Sequence, residues 1–379
     1  MSKIVFLEAV QSFGGARKST LELCKRLSST YDVSIWDLNG ACLPFVEACK
    51  KEGVSLTILD KQKDTFIIND NSIIKQIFKK IHFLIYAIKI NKKIRKMIGG
   101  ESCYFVVNNS KVLTFLIRKP KNMKCILFAR GWYLPQQISR VDKILYKKLI
   151  DKFVGVSEAT RHAMYCAKLS TLTNIYVVHN AIKEEDVMTN NQPIARTHSL
   201  QILFCGGFLP TKGQQVALKI AKKLLDFGLD FKIVLCGIVY KGDTSQKWLR
   251  YVKNTISSCH LENHIEVVEN HHNVINYFHW CDIFCHPSDT EGLPRVVMEA
   301  MLLKKPVVAN AVGGVTDYVL NGFTGLLTRH NHVDDYVNAI LKLDEDHEFR
   351  NRITENAFHL VKRTFTESRQ MEDMKKVLD

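Results

Sequence analysis

Residues 282–325 read DIFCHPSDTEGLPRVVMEAMLLKKPVVANAVGGVTDYVLNGFTG, and the order of features along them decides the fold. A short apolar run ends at Ser288, an acidic loop follows, and a helix is expected to open at Pro294, where the missing N–H of proline costs nothing. A second apolar run, Pro306 to Asn310, leads directly into Gly313-Gly314. Strand, loop, helix, strand and glycine turn make one βαβ unit with its polar residues gathered at the strand ends. In doubly wound sheets, ligands sit at that edge.

Two carboxylates stand out in this unit. Glu291 lies in the loop, and Glu299 lies in the second turn of the helix among Val296, Val297, Ala300 and Met301. A carboxylate on so apolar a helix needs a polar partner, because burying it unpaired is costly. The vicinal hydroxyls of a sugar would serve, and so would a nearby lysine. Gly292 lets the backbone approach a ligand closely. The main-chain N–H groups between Gly292 and Val296, through Leu293 to the helix start, suit a phosphate.

Working outward, strand–helix alternation recurs along most of the chain. KIVFLEAV, YDVSIWDL, GVSLTI, CYFVVNN, KCILFAR and KFVGVS read as strands of a first parallel sheet. Polar, proline-containing sequence without periodicity then precedes a restart of the alternation at Gln201. The expectation is an α/β protein of two Rossmann-like βαβ domains facing a central cleft. Residues 1–186 are expected to form the first domain, 187–199 the linker and 200–365 the second domain. Residues 366–379 are expected as a C-terminal helix crossing back to the first domain. In the loop leaving the second domain's first strand, Gly206-Gly207 precede Lys212-Gly213. Glycines there admit a phosphate to the backbone, and the lysine is either its counter-charge or a surface residue.

Composition is ordinary for a globular protein, at 46% hydrophobic and 24% charged residues, which argues against disorder or a coiled coil. The 11 cysteines are scattered, without paired CxxC spacing, and read as reduced thiols of a cytoplasmic protein. MSKIVFLEAV has the wrong flanks for a signal peptide, and no run reaches the roughly 18 apolar residues of a membrane span. Residues 1–190 hold 31 Lys and Arg against 16 Asp and Glu, while the remainder holds 22 of each, so the whole excess of +15 lies in the first half. Such asymmetry speaks to partners rather than to fold. Within it, residues 73–98 place Ile74, Ile77, Phe78, Ile81, Leu84, Ile85 and Ile88 at helical spacing, with lysines and Arg95 filling much of the rest. Two readings stand: a basic amphipathic helix lying on an anionic membrane, or a domain helix with one face in the core. The protein is accordingly expected either free in the cytoplasm or resting on the inner face of the plasma membrane.

The segment 282–325 resembles the signature of the retaining glycosyltransferases of family 4, the group 1 glycosyl transferases with the two-domain GT-B fold. Gly14-Gly15-Ala16 after the first strand, Val156-Ser157-Glu158, His179-Asn180-Ala181-Ile182, residues 202–224 and FKIVLCG at 231–237 extend the resemblance. It implies transfer of a sugar from a UDP- or GDP-sugar to a glycan or lipid-linked saccharide, in cell-surface polysaccharide or lipopolysaccharide biosynthesis. By position, Lys212 would neutralise charge on the departing diphosphate, Glu299 would hold the ribose, and Glu291 would position the donor sugar. Gly206, Gly207, Gly292, Leu293, Pro294 and Val296 would line the donor, and Gly15 would close over the diphosphate. The family commonly has an arginine where this chain has Gly207, which makes Arg295 a candidate for the second cation, with Arg17 and Arg130 of the first domain as others. Arg130, in a loop where relatives often carry a histidine, becomes a candidate for binding an acidic acceptor. His271, His272 and His286 lack a third ligand at suitable spacing, so no metal and no other cofactor is expected.

Two other classes remain at this point. One is a sugar-nucleotide epimerase of the same architecture, which the Glu291–Glu299 spacing disfavours. The other is a non-catalytic nucleotide-sugar or nucleic-acid binder. No helix-turn-helix or RNA-binding motif is present, and no nucleic-acid partner is expected.

Overall fold

In the computed structural model, the residues described are 3–61, 73–108, 110–116, 118–132, 134–185, 187–188, 193–240, 242–270 and 274–379, without the side chains of 73–80, 110 and 111. Tyr133, His271, His272 and the side chains of Ile74, Ile77 and Phe78 therefore lie outside the described residues, as does part of the expected linker.

The chain divides into two compact units. The first carries β1 (Lys3–Glu8), β2 (Asp32–Asp37), β3 (Ser55–Ile58), β4 (Cys103–Val107), β5 (Met123–Ala129), β6 (Lys152–Gly155) and β7 (Ile175–Val177), in the order β3-β2-β1-β4-β5-β6-β7. The second carries β8 (Leu200–Cys205), β9 (Phe231–Gly237), β10 (Ile265–Glu269), β11 (Ile283–His286), β12 (Val307–Asn310) and β13 (Leu326–Thr328), in the order β10-β9-β8-β11-β12-β13. Among the described residues these strands pair in parallel throughout. Helices cover both faces of such sheets, so the strands run nearly continuously apolar, as in KIVFLE and FKIVLCG. Each unit has its own core. Leu7, Phe105, Leu127, Ile90 and Ile94 belong to the first, and Ile202, Leu235, Ile283, Tyr336 and Ile340 to the second. Two Rossmann-like units are thus observed, as the alternation of strand and helix implied.

The first unit comprises Met1–Val156, Thr160–Val178 and Met371–Asp379, and the second Ser157–Ala159 and His179–Gln370. The division falls before His179, earlier than the residue 186 expected from the polar stretch. The reason is local bonding: Asn180 Nδ2 donates to Leu293 O at 3.1 Å, and Ile182 N donates to Phe365 O at 3.0 Å. The helix Glu367–Leu378 returns the chain to the first unit, where Lys152 Nζ donates to Val377 O at 2.7 Å.

The helix Ile73–Ile98 carries two apolar stripes rather than one. Tyr86, Ala87, Ile90, Ile94 and Ile98 are buried in the first core. Ile81, Leu84, Ile85 and Ile88, read from sequence as a single face with core or membrane as its partner, are instead 50%, 54%, 60% and 53% exposed. Lys92, Arg95 and Lys96 continue that exposed stripe at the same three- and four-residue spacing.

At the end of β1, Glu8 is fully buried beside Arg17, whose Nη1 lies 3.1 Å from its Oε2, and it accepts a hydrogen bond from Asn108. Burial raises its carboxyl to about 7, against the pull of Arg17 and Arg130 and with a push from Asp37. The folded state therefore holds a proton that the unfolded chain releases near 4.5, and stability falls as pH rises through that window. Replacing Glu8 with Gln should flatten the decline in melting temperature between pH 4.5 and about 7, which thermal unfolding of both proteins across that range will measure.

Candidate functional site

The order of strands in the second sheet reverses between β8 and β11. At such a switch point the loops leaving neighbouring strands diverge and open a crevice at their carboxyl ends. Two loops meet there. The loop after β8 runs through Gly206 and Gly207 to a short turn, Pro210–Lys212, ahead of the helix Gln214–Asp226. The loop after β11 runs through Glu291 to the helix Arg295–Leu302, whose N-cap is Pro294.

Backbone meets backbone where these loops pack. Gly213 has φ of +78°, and a Cβ there would stand 2.2 Å from Pro287 O. A Cβ on Gly314 would stand 1.8 Å from Gly292 O, and Gly314 N donates to Glu291 O at 3.2 Å. Tyr318 Oη fixes the helix start by donating to Pro294 O at 2.9 Å. Gly314 is thus explained by close approach to the Glu291 loop.

On this frame Lys212 Nζ donates to Glu291 Oε1 at 2.5 Å, and His286 Nε2 lies 3.2 Å from the same oxygen. Burial pushes the Glu291 carboxyl up, but the Lys212 charge and the His286 hydrogen bond outweigh it and hold the carboxyl well below the usual carboxylate range. Glu291 is therefore an anion at any physiological pH. It can accept hydrogen bonds from hydroxyls but cannot serve as a proton donor. The stem of Lys212 lies over Gly206, with its Cβ 3.6 Å from where a glycine Cβ would be.

Of the residues expected to form the site, Gly206, Gly207, Lys212, Glu291 and Gly292 thus belong to adjoining loops of one unit. Leu293 and Pro294 are buried at the helix start, while Val296 and Glu299 are half-buried in the first and second turns. Arg295 is buried, with Nη1 donating to Ala181 O at 3.1 Å and Nε 3.8 Å from Glu299 Oε1. Its guanidinium is engaged in holding the 179–182 segment and in flanking Glu299. Gly15 and Arg130 belong to the first unit. Gly15 opens the helix Gly15–Leu27, whose N-cap Gly14 makes no side-chain cap, and a Cβ on Gly15 would meet open space. Arg130 stacks 4.3 Å over the Phe128 ring, and burial lowers it to about 10 against the pull of Glu8. From sequence, His286 was weighed as a metal ligand, without a third partner at suitable spacing. Its place at the end of the switch-point strand was the available signal for its contact with Glu291.

Residues 189–360 match the family model described as glycosyl transferases group 1. That match lies within the second unit. An uncharacterised glycosyltransferase of Methanocaldococcus jannaschii is 32% identical over 163 residues, a span covering 42% of this chain and 43% of that protein. The lipopolysaccharide 1,2-N-acetylglucosaminetransferase of Salmonella typhimurium is 26% identical over 79% of each chain. Among solved structures, Anabaena Alr3699/HepE in complex with UDP superposes with a TM-score of 0.79 at 17% identity, covering 99% of both chains. The same protein in complex with UDP-glucose gives 0.77 at 18% identity, with both chains fully covered. The fold is that of the GT-B glycosyltransferases.

The glycine contacts make a direct prediction for the stability of the fold. Gly314→Ala should destabilise it by about 1–3 kcal/mol, since the methyl group meets backbone that cannot rotate away. Gly100→Ala, with open space around the added carbon, should leave the melting temperature nearly unchanged.

Proposed function

We propose that the protein is a retaining glycosyltransferase that moves a sugar from a UDP- or GDP-sugar to a glycan or lipid-linked saccharide, in the assembly of cell-surface polysaccharide or lipopolysaccharide. The observation that carries this reading is the Lys212–Glu291 pair at the β8/β11 switch point. The UDP and UDP-glucose complexes of Alr3699/HepE and the lipopolysaccharide 1,2-N-acetylglucosaminetransferase of Salmonella typhimurium support it.

In this mechanism the diphosphate of the donor draws the Lys212 ammonium from Glu291. The freed carboxylate, still steadied by His286, orients hydroxyls of the sugar. The ribose hydroxyls bond to Glu299, whose carboxylate lies beside the Arg295 guanidinium. As the glycosidic bond breaks, negative charge collects on the leaving phosphate, where a fixed cation stabilises it most. That phosphate takes the acceptor's proton on the same face, so the sugar keeps its anomeric configuration. The test is release of UDP or GDP from a panel of nucleotide sugars. Lys212→Ala should lower turnover by about 100-fold or more. Absence of binding and turnover with every donor would overturn the reading.

The acceptor is assigned to the basic first unit, which rests on an anionic membrane through the exposed face of the helix Ile73–Ile98. Ile81, Leu84, Ile85 and Ile88 enter the interface, and Lys92, Arg95 and Lys96 meet the headgroups. A basic depression lined by Lys92, Arg95, Lys96 and Lys121 supports the same partner. Among the described residues no helix is long and apolar enough to cross a membrane. Vesicles containing phosphatidylglycerol should sediment the protein, while phosphatidylcholine vesicles should not. Ile85→Glu should abolish that sedimentation without lowering the melting temperature, because the side chain is 60% exposed.

A further inference from the structure

A residue outside every motif read from the sequence stands at the Lys212–Glu291 pair. Strand β9 ends at Gly237, and Ile238-Val239-Tyr240 follow. This loop is tied to the loop after β8. Phe208 N donates to Ile238 O at 2.9 Å, Tyr240 N donates to Ser245 Oγ at 3.0 Å, and Ser245 Oγ donates to Phe208 O at 2.7 Å. The Tyr240 ring is thereby laid against Gly207. A Cβ on Gly207 would stand 2.7 Å from Tyr240 Cε2, 2.9 Å from its Oη and 3.1 Å from its Cζ. Gly207 is itself held in place, because Gln214 Nε2 donates to its carbonyl at 3.1 Å and Trp248 Nε1 donates to Gln214 Oε1 at 2.9 Å. The absent side chain at position 207 is therefore filled in space by a phenol delivered from another loop.

We propose that Tyr240 is a further catalytic residue, its hydroxyl donating a hydrogen bond to the same departing diphosphate that Lys212 meets. The proposal rests on the nucleotide-sugar reading above. Burial raises the Tyr240 phenol above its ordinary range, and Glu291 adds to that while Lys212 opposes it. The hydroxyl therefore keeps its proton, as a donor must, and it is near enough to feel both charges of the pair. A donor fixed where charge develops acts more strongly on the transition state than on the bound substrate.

Two variants separate this role from packing. Tyr240→Phe removes the hydroxyl and keeps the ring on Gly207. Gly207→Ala leaves Tyr240 intact but pushes the ring aside, since the methyl group meets the far end of a side chain that can swing. Both should lower kcat by about 10- to 100-fold, with the KM for the nucleotide sugar and the melting temperature changing far less. Wild-type kcat in Tyr240→Phe would overturn the proposal while leaving the donor reading intact. A parallel loss of melting temperature and activity in Tyr240→Phe would also overturn it, by assigning the hydroxyl a structural role. Failure of the unaltered protein to bind or turn over any nucleotide sugar would remove the donor reading and this proposal together.

Discussion

The Lys212–Glu291 ion pair is the interaction around which the candidate site of the second unit is built. A half-buried pair of charges is maintained only where both partners are fixed, because each is costly to leave without the other. Here the fixing is done by backbone. Pro287 carbonyl leaves no room for a side chain on Gly213, and Gly292 carbonyl leaves none on Gly314. The loops carrying the lysine and the glutamate are thereby held to their neighbours, and His286 shares the carboxylate oxygen. The result is a cation and an anion that a ligand bearing phosphate and hydroxyl groups can separate and satisfy at once.

Much of this was legible because it is written locally. Residues 282–325 place strand, helix and glycine turn within one continuous segment, and each signal depends on near neighbours. Pro294 is an example: the helix begins at Arg295, one residue beyond the proline that announced it. What could not be read depends on distant packing. Tyr240 reaches Gly207 across two loops, and no spacing in the sequence encodes that approach. Arg295 was a candidate for the second cation at the donor, and its partner Ala181 lies in the segment that enters the second unit. The division before His179 was missed for a similar reason. Polar, proline-containing sequence marked a later linker, whereas side-chain and backbone bonds of Asn180 and Ile182 decide where the unit begins.

The helix Ile73–Ile98 shows how periodicity alone leaves a choice that burial then makes. Ile81, Leu84, Ile85 and Ile88 share helical spacing with one another, and Ile90, Ile94 and Ile98 share it on the opposite side. Sequence identifies both sets as apolar, but only packing against β-strands tells which set the core takes. The set left outside runs into Lys92, Arg95 and Lys96, in the half of the chain that holds the entire charge excess. The two units thus differ in chemical character: a charge-balanced one with its ion pair set in glycine-rich loops, and a basic one with an exposed apolar face.

The most direct test of the central claim is a crystal structure of the protein grown with saturating UDP. The account predicts the diphosphate within hydrogen-bonding distance of Lys212 Nζ, with that nitrogen moved away from Glu291 and the ribose hydroxyls on Glu299. Nucleotide bound elsewhere, or a Lys212–Glu291 pair left unchanged beside a bound diphosphate, would contradict it.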